Sequence, residues 1–323
     1  MTLSQRERGT KTLHTRALTP LRPHPRPLSL WERGEATERS EGAWGEGQRA
    51  APDECNCYDA LMLTLPNQWS ALHSSDFAGL DAARTVAVLP LGATEQHGPH
   101  LPLDVDAVLV EAMVAGALPR LAAGTPVLVL PTRSVGLSTE HTSFPGTLSL
   151  SSETTLRALC DIGQSVARAG VRKLLMFNAH GGHVAAMDLA ARDLRSIGLT
   201  VFHTSWEQLP LGAAWEAFSA EERRYGVHGG EIETSMMLAL APERVRMDLA
   251  KNFTSSAIER VKRFPLLGQG HSRMGWHAHD LNPSGAVGRA DRADAGRGAA
   301  LLQAVSEQLA ALLGQMVEFE PLS

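Results

Sequence analysis

Four short, nearly all-apolar runs alternate with helical patterns, and this alternation constrains the chain more than any other feature. The runs fall at 85–91 (TVAVLPL), 126–130 (PVLVL), 172–177 and 199–204. A strand that is apolar on both faces must be covered on both faces, as in a parallel sheet between two helix layers. The intervening segments supply the helices. Residues 106–121 carry Val108, Leu109, Ala112, Met113 and Ala117 on one side at helical spacing. A helix capped by Ser151 or Ser152, with Glu153 in its first turn, is expected to run to about Ala169 and stop at Gly170. Further helices are expected at 183–196, 232–240 and 295–316, with Gly198 closing the first of these. The order β-α-β-α-β-α-β predicts a three-layer α/β/α sandwich with a mainly parallel sheet. Loops at the C-terminal ends of its strands would form the ligand crevice.

The first part of the chain reads differently. Residues 1–61 are rich in Pro, Arg, Glu and Gly and show neither the helical nor the strand period. A disordered leader is expected there, with one domain over 62–323 and a natural start at or near Met62. With 43% hydrophobic residues in 323, that domain can bury a sizeable core. A net charge of −5 gives no sign of a nucleic-acid surface, and no apolar stretch is long enough for a membrane helix. Three cysteines, Cys55, Cys57 and Cys160, are too few and too oddly spaced for a disulfide framework, which fits a cytoplasmic protein.

Three polar clusters fall where crevice residues should fall. Gly92-Ala93-Thr94-Glu95-Gln96-His97-Gly98 follows the first apolar run, with Asp106 at the start of the next helix. Asn178-Ala179-His180-Gly181-Gly182-His183 follows the third run, and His228-Gly229-Gly230-Glu231-Ile232-Glu233 opens a helix. Carboxylates and imidazoles together suit zinc, manganese or iron. Asp106 is the candidate to bridge two metals, because a helix N-terminus holds a carboxylate well. His100 and Asp104 read as supporting groups, and His183 as a helix cap or a solvated side chain. Glu231 and Glu233, two apart on a helix, point to nearly opposite faces. A helical phase that pairs His228 with Glu231 would aim both into the site and leave Glu233 as support.

These stretches resemble the creatininase family. The resemblance rests on LPLGATEQHGPHLPLDVD (89–106), GLSTEHTSFPGTLSL (136–150), NAHGGH (178–183) and HGGEIETSMMLALAPE (228–243), with a looser match at 285–298. It covers roughly residues 64–315. It implies the same α/β sandwich, usually assembled into homo-oligomers and often hexamers. It also implies two divalent metals (zinc, manganese or iron) per subunit, and hydrolysis of C–N bonds in small amides or cyclic amides. Carried over by position, it places metal ligands at Glu95, His97, Asp106 and His180, and a catalytic histidine at His228. The family's Tyr-Glu after the second ligand histidine is Gly181-Gly182 here, so the second metal needs another carboxylate, for which Glu231 is the candidate. Glu233 then serves as a catalytic residue that orients His228 or takes a proton from water. His141, Gly181 and Tyr225 are expected to contact substrate, a structural role for His141 being the alternative. The family's Trp-Asp pair is Arg224-Tyr225 here, which argues against creatinine itself. A metallopeptidase of a modified-peptide (mycofactocin-type) maturation system and a non-catalytic metal- or metabolite-binding protein are the alternative functions.

Overall fold

The computed structural model describes residues 67–268 and 271–320. The expectations for residues 1–61, including Met62 as the natural start and the Cys55/Cys57 pair, lie outside the described residues.

The four apolar runs form one parallel sheet. Its strands are β1 (Val86–Leu91), β2 (Val127–Val129), β3 (Lys173–Asn178) and β4 (Thr200–Ser205), in the spatial order β2-β1-β3-β4. Val86 pairs with Lys173 and Leu91 with Asn178, so β1 and β3 end side by side at the centre of the sheet. Successive side chains on a strand point to opposite faces, and β1 feeds two cores accordingly. Val86 and Val88 join one layer, built on Leu109 and Met113 of α1 (Val105–Ala117) and on Leu301, Leu309 and Leu313 of the C-terminal helix. Ala87, Leu89 and Leu91 join the other, built on Leu159 and Val166 of α2 (Ser152–Arg168) and on Met187 and Leu194 of α3 (Val184–Ser196). These layers give the sandwich predicted from the sequence.

Local chemistry sets the helix ends. The Ser151 hydroxyl accepts the Thr154 N–H at the start of α2, satisfying one of the amides left free in a first turn. Gly170 and Gly198 follow α2 and α3 with positive φ. At Gly92, directly after β1, an added Cβ would lie 2.6 Å from the backbone of Ala107. Glycine there lets α1 start hard against the strand end, which brings Asp106 to it.

Between 206 and 290 the chain makes short elements that the apolar pattern does not announce. They are α4 (Gly212–Glu216), α5 (Ala220–Tyr225), β5 (Asn252–Phe253), α7 (Ser256–Arg263), α8 (Ala278–Leu281) and β6 (Gly288–Arg289), with β5 antiparallel to β6. Between α5 and β5 lies α6 (Glu231–Leu240), and α9 (Ala295–Glu318) closes the fold against α6 and α1. Among the described residues no helix is long and apolar enough to cross a membrane.

Candidate metal centre

The ends of β1 and β3 and the starts of α1 and α6 converge on one buried cluster. Glu95 and His97 leave β1, Asp106 sits in the first turn of α1, His180 follows β3, and Glu233 sits in the first turn of α6. His97 is fully buried, and Glu95, Asp106 and His180 are each at most 3% exposed. Two triads of donor atoms gather within 4.8 Å and share one member: Glu95–Asp106–His180 and His97–Asp106–Glu233. A third grouping joins Glu95 and His97 to His228.

The donors converge on common points rather than on each other. His180 Nδ1 lies 3.2 Å from Glu95 Oε1 and 3.3 Å from Asp106 Oδ2, and His141 Nε2 lies 3.3 Å from Glu95 Oε1. Yet Glu95 Oε1, Glu95 Oε2 and Asp106 Oδ2 are buried without a properly aligned hydrogen bond. Orphaned carboxylate oxygens are costly inside a protein, and a divalent cation among oxygen and imidazole donors would satisfy them. The residues therefore fit the metals that the sequence suggests.

Outer contacts fix how each ring presents itself. His97 Nδ1 lies 3.0 Å from the Glu95 carbonyl, and its Nε2 faces Asp106 Oδ1 at 3.1 Å. His180 directs Nε2 to the Leu137 carbonyl at 2.6 Å, leaving Nδ1 for the cluster. Asn178 at the end of β3 receives the His180 N–H and donates to the His180 carbonyl and to Ser205. Such supporting contacts set the orientation of ligand imidazoles.

The Gln96 amide is oriented because its oxygen accepts the Gly98 N–H. Its Nε2 therefore donates, to the Gly285 carbonyl and to His141 Nδ1 at 2.8 Å. The remaining proton of a neutral His141 then lies on Nε2, facing Glu95. His141 stacks on His228 at 4.1 Å, and His228 Nε2 lies 2.5 Å from the Gln96 carbonyl, leaving Nδ1 free of that bond.

Charges follow these neighbours. Burial works against a charge on His97, but Asp106 outweighs it and lifts the imidazole to about 10. Burial likewise opposes a charge on His180, and Glu95 and Asp106 hold it well above the ordinary range. Burial, with His97 and His141 nearby, keeps His228 well below that range, and burial takes His141 to about 4. Burial pushes the Glu233 carboxyl up to about 7. In the metal-free protein, protons on His97 and His180 thus offset the charge of the buried Asp106 carboxylate.

The structure brings together Glu95, His97, Asp106, His180, His141, His228 and Glu233. It does not bring Glu231 to them. Gly229 takes a φ of +59° and Gly230 is extended, so the helix begins only at Glu231 and its phase differs from one running from His228. Glu231 then turns away and pairs with Arg297 of α9, while its N–H donates to Glu222. Glu233 takes the place expected for Glu231. Its carboxylate accepts the Gly229 N–H, and among the described residues it makes no hydrogen bond to His228, which it was expected to orient.

A cavity of about 500 Å³ opens over the cluster, with Glu95, Glu140, His141, His180, Gly181, Arg223, His228, Glu233 and Trp276 among its lining. Gly181 lines it as expected. Tyr225 instead lines an adjoining cavity of about 450 Å³, which shares Gly181, Glu207, Val227, Met274 and Trp276 with the first. His183 neither faces solvent nor binds in the cluster. It is buried, lies 3.1 Å from Asn178 Oδ1 and accepts the Leu137 N–H. His100 contacts Thr234, and Asp104 pairs with Arg244 at the surface. Gln96, Glu140, Glu222 and Trp276 escaped the sequence reading. Only Gln96, between two ligand candidates, carried a local signal.

The family model for creatininase (creatinine amidohydrolase) matches residues 70–313. The mycofactocin precursor peptide peptidase of Mycobacterium tuberculosis is 34% identical over 183 residues, covering 55% of this chain and 67% of that protein. The creatinine amidohydrolase of Pseudomonas putida is 32% identical over 204 residues, covering 58% of this chain and 77% of its own. A solved structure described as creatininase Mn superposes with a TM-score of 0.63 at 25% identity, covering 79% of this chain and 99% of that one. With the family match spanning both strand-end motifs and the α6 motif, the chain belongs to the creatininase family.

Proposed function

We propose that this chain is a metal-dependent amidohydrolase that cleaves a C–N bond of a small amide or cyclic amide, with two divalent metal ions per subunit. The observation that carries this reading is the pair of triads sharing Asp106, open to a cavity large enough for a small molecule. Glu95, Asp106 and His180 would hold one ion, and His97, Asp106 and Glu233 the other. Bound ions, zinc, manganese or iron by donor type, would supply an activated water and a Lewis acid for the carbonyl.

The chain's own residues do the rest. Gln96 holds His141 and His228 in place on the cavity wall. His228 is kept neutral, with Nδ1 toward the cluster 3.7 Å from Glu95 Oε1. It is placed to take a proton there and pass it to the departing nitrogen. His141 steadies Glu95, which makes a positioning role the better reading of its place.

A second reading is release of a modified peptide. The adjoining cavity favours it, because a ring the size of creatinine would leave most of the combined space empty. The relative with that activity in its name is about as similar as the creatinine amidohydrolase.

The test is metal content together with an amide and peptide substrate screen. Protein purified without chelators should carry about two divalent ions per chain. Asp106→Ala should lose both ions and fall to background on any substrate found. Full metal content and activity in Asp106→Ala would overturn the bridging role.

A further inference from the structure

One cation on the cavity wall has no protein partner. Arg223, in the last turn of α5, lines the 500 Å³ cavity with Glu95, His228 and Glu233. Its Nε is buried without an acceptor, and among the described residues its guanidinium makes no ion pair. The neighbouring arginines differ, since Arg224 lies over the Tyr225 ring and Arg297 is committed to Glu231. A buried N–H without an acceptor is costly, and a guanidinium binds carboxylates through a planar fork.

We propose that the cavity takes a carboxylate-bearing substrate, whose carboxylate Arg223 binds while the scissile bond lies over the cluster. This rests on reading the cluster as the hydrolytic centre. A monoanion fits better than a phosphate. Among the described residues Arg223 is the one arginine or lysine lining this cavity, and the cavity's other walls include Trp206, Trp215 and Trp276. Aromatic walls suit an apolar or planar body. Glu95, Glu140, Glu207 and Glu233 line the same space, so an anion would be drawn to the Arg223 end of the cavity.

The test compares benzoate with benzyl alcohol, which share a ring but not a charge and hold no bond for the enzyme to cleave. Binding is measured by calorimetry on the full chain, both zinc-loaded and chelator-treated. Wild type should prefer benzoate by about tenfold or more in both forms. Arg223→Gln should reduce that preference to about twofold or less with zinc uptake unchanged, and Arg223→Lys should keep part of it. An undiminished preference in Arg223→Gln, or none in wild type, would overturn the proposal. Failure of wild type to take up zinc would count against the hydrolase reading alone, because the chelator-treated protein still reports on Arg223.

Discussion

The two halves of the metal cluster are held by different means. Glu95, His97 and His180 hang from the ends of two adjacent, fully buried strands, and Asp106 from a helix packed against one of them. Their positions follow from sheet register and an apolar core. Glu233 and His228 sit at the entry to α6, a helix whose Ile232, Met236 and Met237 join the core but whose first turn is reached through the glycine-rich stretch 226–230. There, a buried carboxylate fixes the backbone. Glu222 of α5 accepts the N–H of Glu231 at 2.6 Å and of Arg289 at 2.8 Å, tying the start of α6 to β6. Gly226, Gly230 and Gly288 close around it so tightly that a Cβ on any of them would lie within 3 Å of a Glu222 oxygen. One half is thus positioned by many interchangeable contacts and the other by a few specific ones. Damage should look different in each.

The largest effect should come from the sheet. Leu175 on β3 is fully buried between β1 and β4, and Leu175→Ala should cost about 2–5 kcal/mol of stability in denaturant unfolding. The surviving folded fraction should bind metal almost normally, because neighbouring strands keep the register. A selective loss of metal from a stable Leu175→Ala protein would erase the distinction between the halves.

Glu222→Gln should do the reverse. The amide keeps one acceptor oxygen but sets an NH₂ against a backbone N–H, costing about 1–3 kcal/mol. If the cluster holds the two ions proposed above, affinity for the one that Glu233 would bind should fall roughly 10- to 100-fold. Calorimetric titration would show one binding step weakened relative to wild type and the other unchanged. Equal weakening of both would mean that Glu222 supports the fold at large.

The smallest effect sharpens the comparison through pH. The His97 imidazole is raised from 6.5 to about 10 in the metal-free fold, because Asp106 outweighs burial. A raised histidine contributes stability that is fully present below 6.5 and lost as pH rises through about 10. Chelator-treated protein should therefore melt progressively lower between those values, by about 2–4 °C for each kcal/mol lost. Zinc-loaded protein should hold steadier, since ligands held by metal have no proton to lose. A flat profile for the chelator-treated protein would show that protons do not offset the Asp106 carboxylate.

The sequence announced the first half of the cluster and only approximated the second, and the reason lies in how each is built. Apolar strands leave a pattern that can be read locally. Once β1 and β3 are located, Glu95, His97 and His180 fall at their ends, and Asp106 falls in the first turn of the next helix. The choice between Glu231 and Glu233 depended on where a helix starts. That start is set by two non-helical glycines and by Arg297, sixty-six residues away in sequence. No local period encodes such a contact. The same holds for Glu222 and Trp276, whose neighbours come from distant loops. Tyr225 was placed by position in the family pattern, and its helix turns it into the adjoining cavity instead.

The grip on Glu222 has a consequence for how such a protein changes over time. The segment from Arg223 to Val227 is anchored at one end by Glu222 and at the other by His228. Between those anchors, Arg223, Tyr225 and Val227 face the two cavities and can be exchanged so long as Gly226 stays beside Glu222. A lineage could therefore acquire a new substrate through a handful of replacements in one short stretch while inheriting its reaction unchanged.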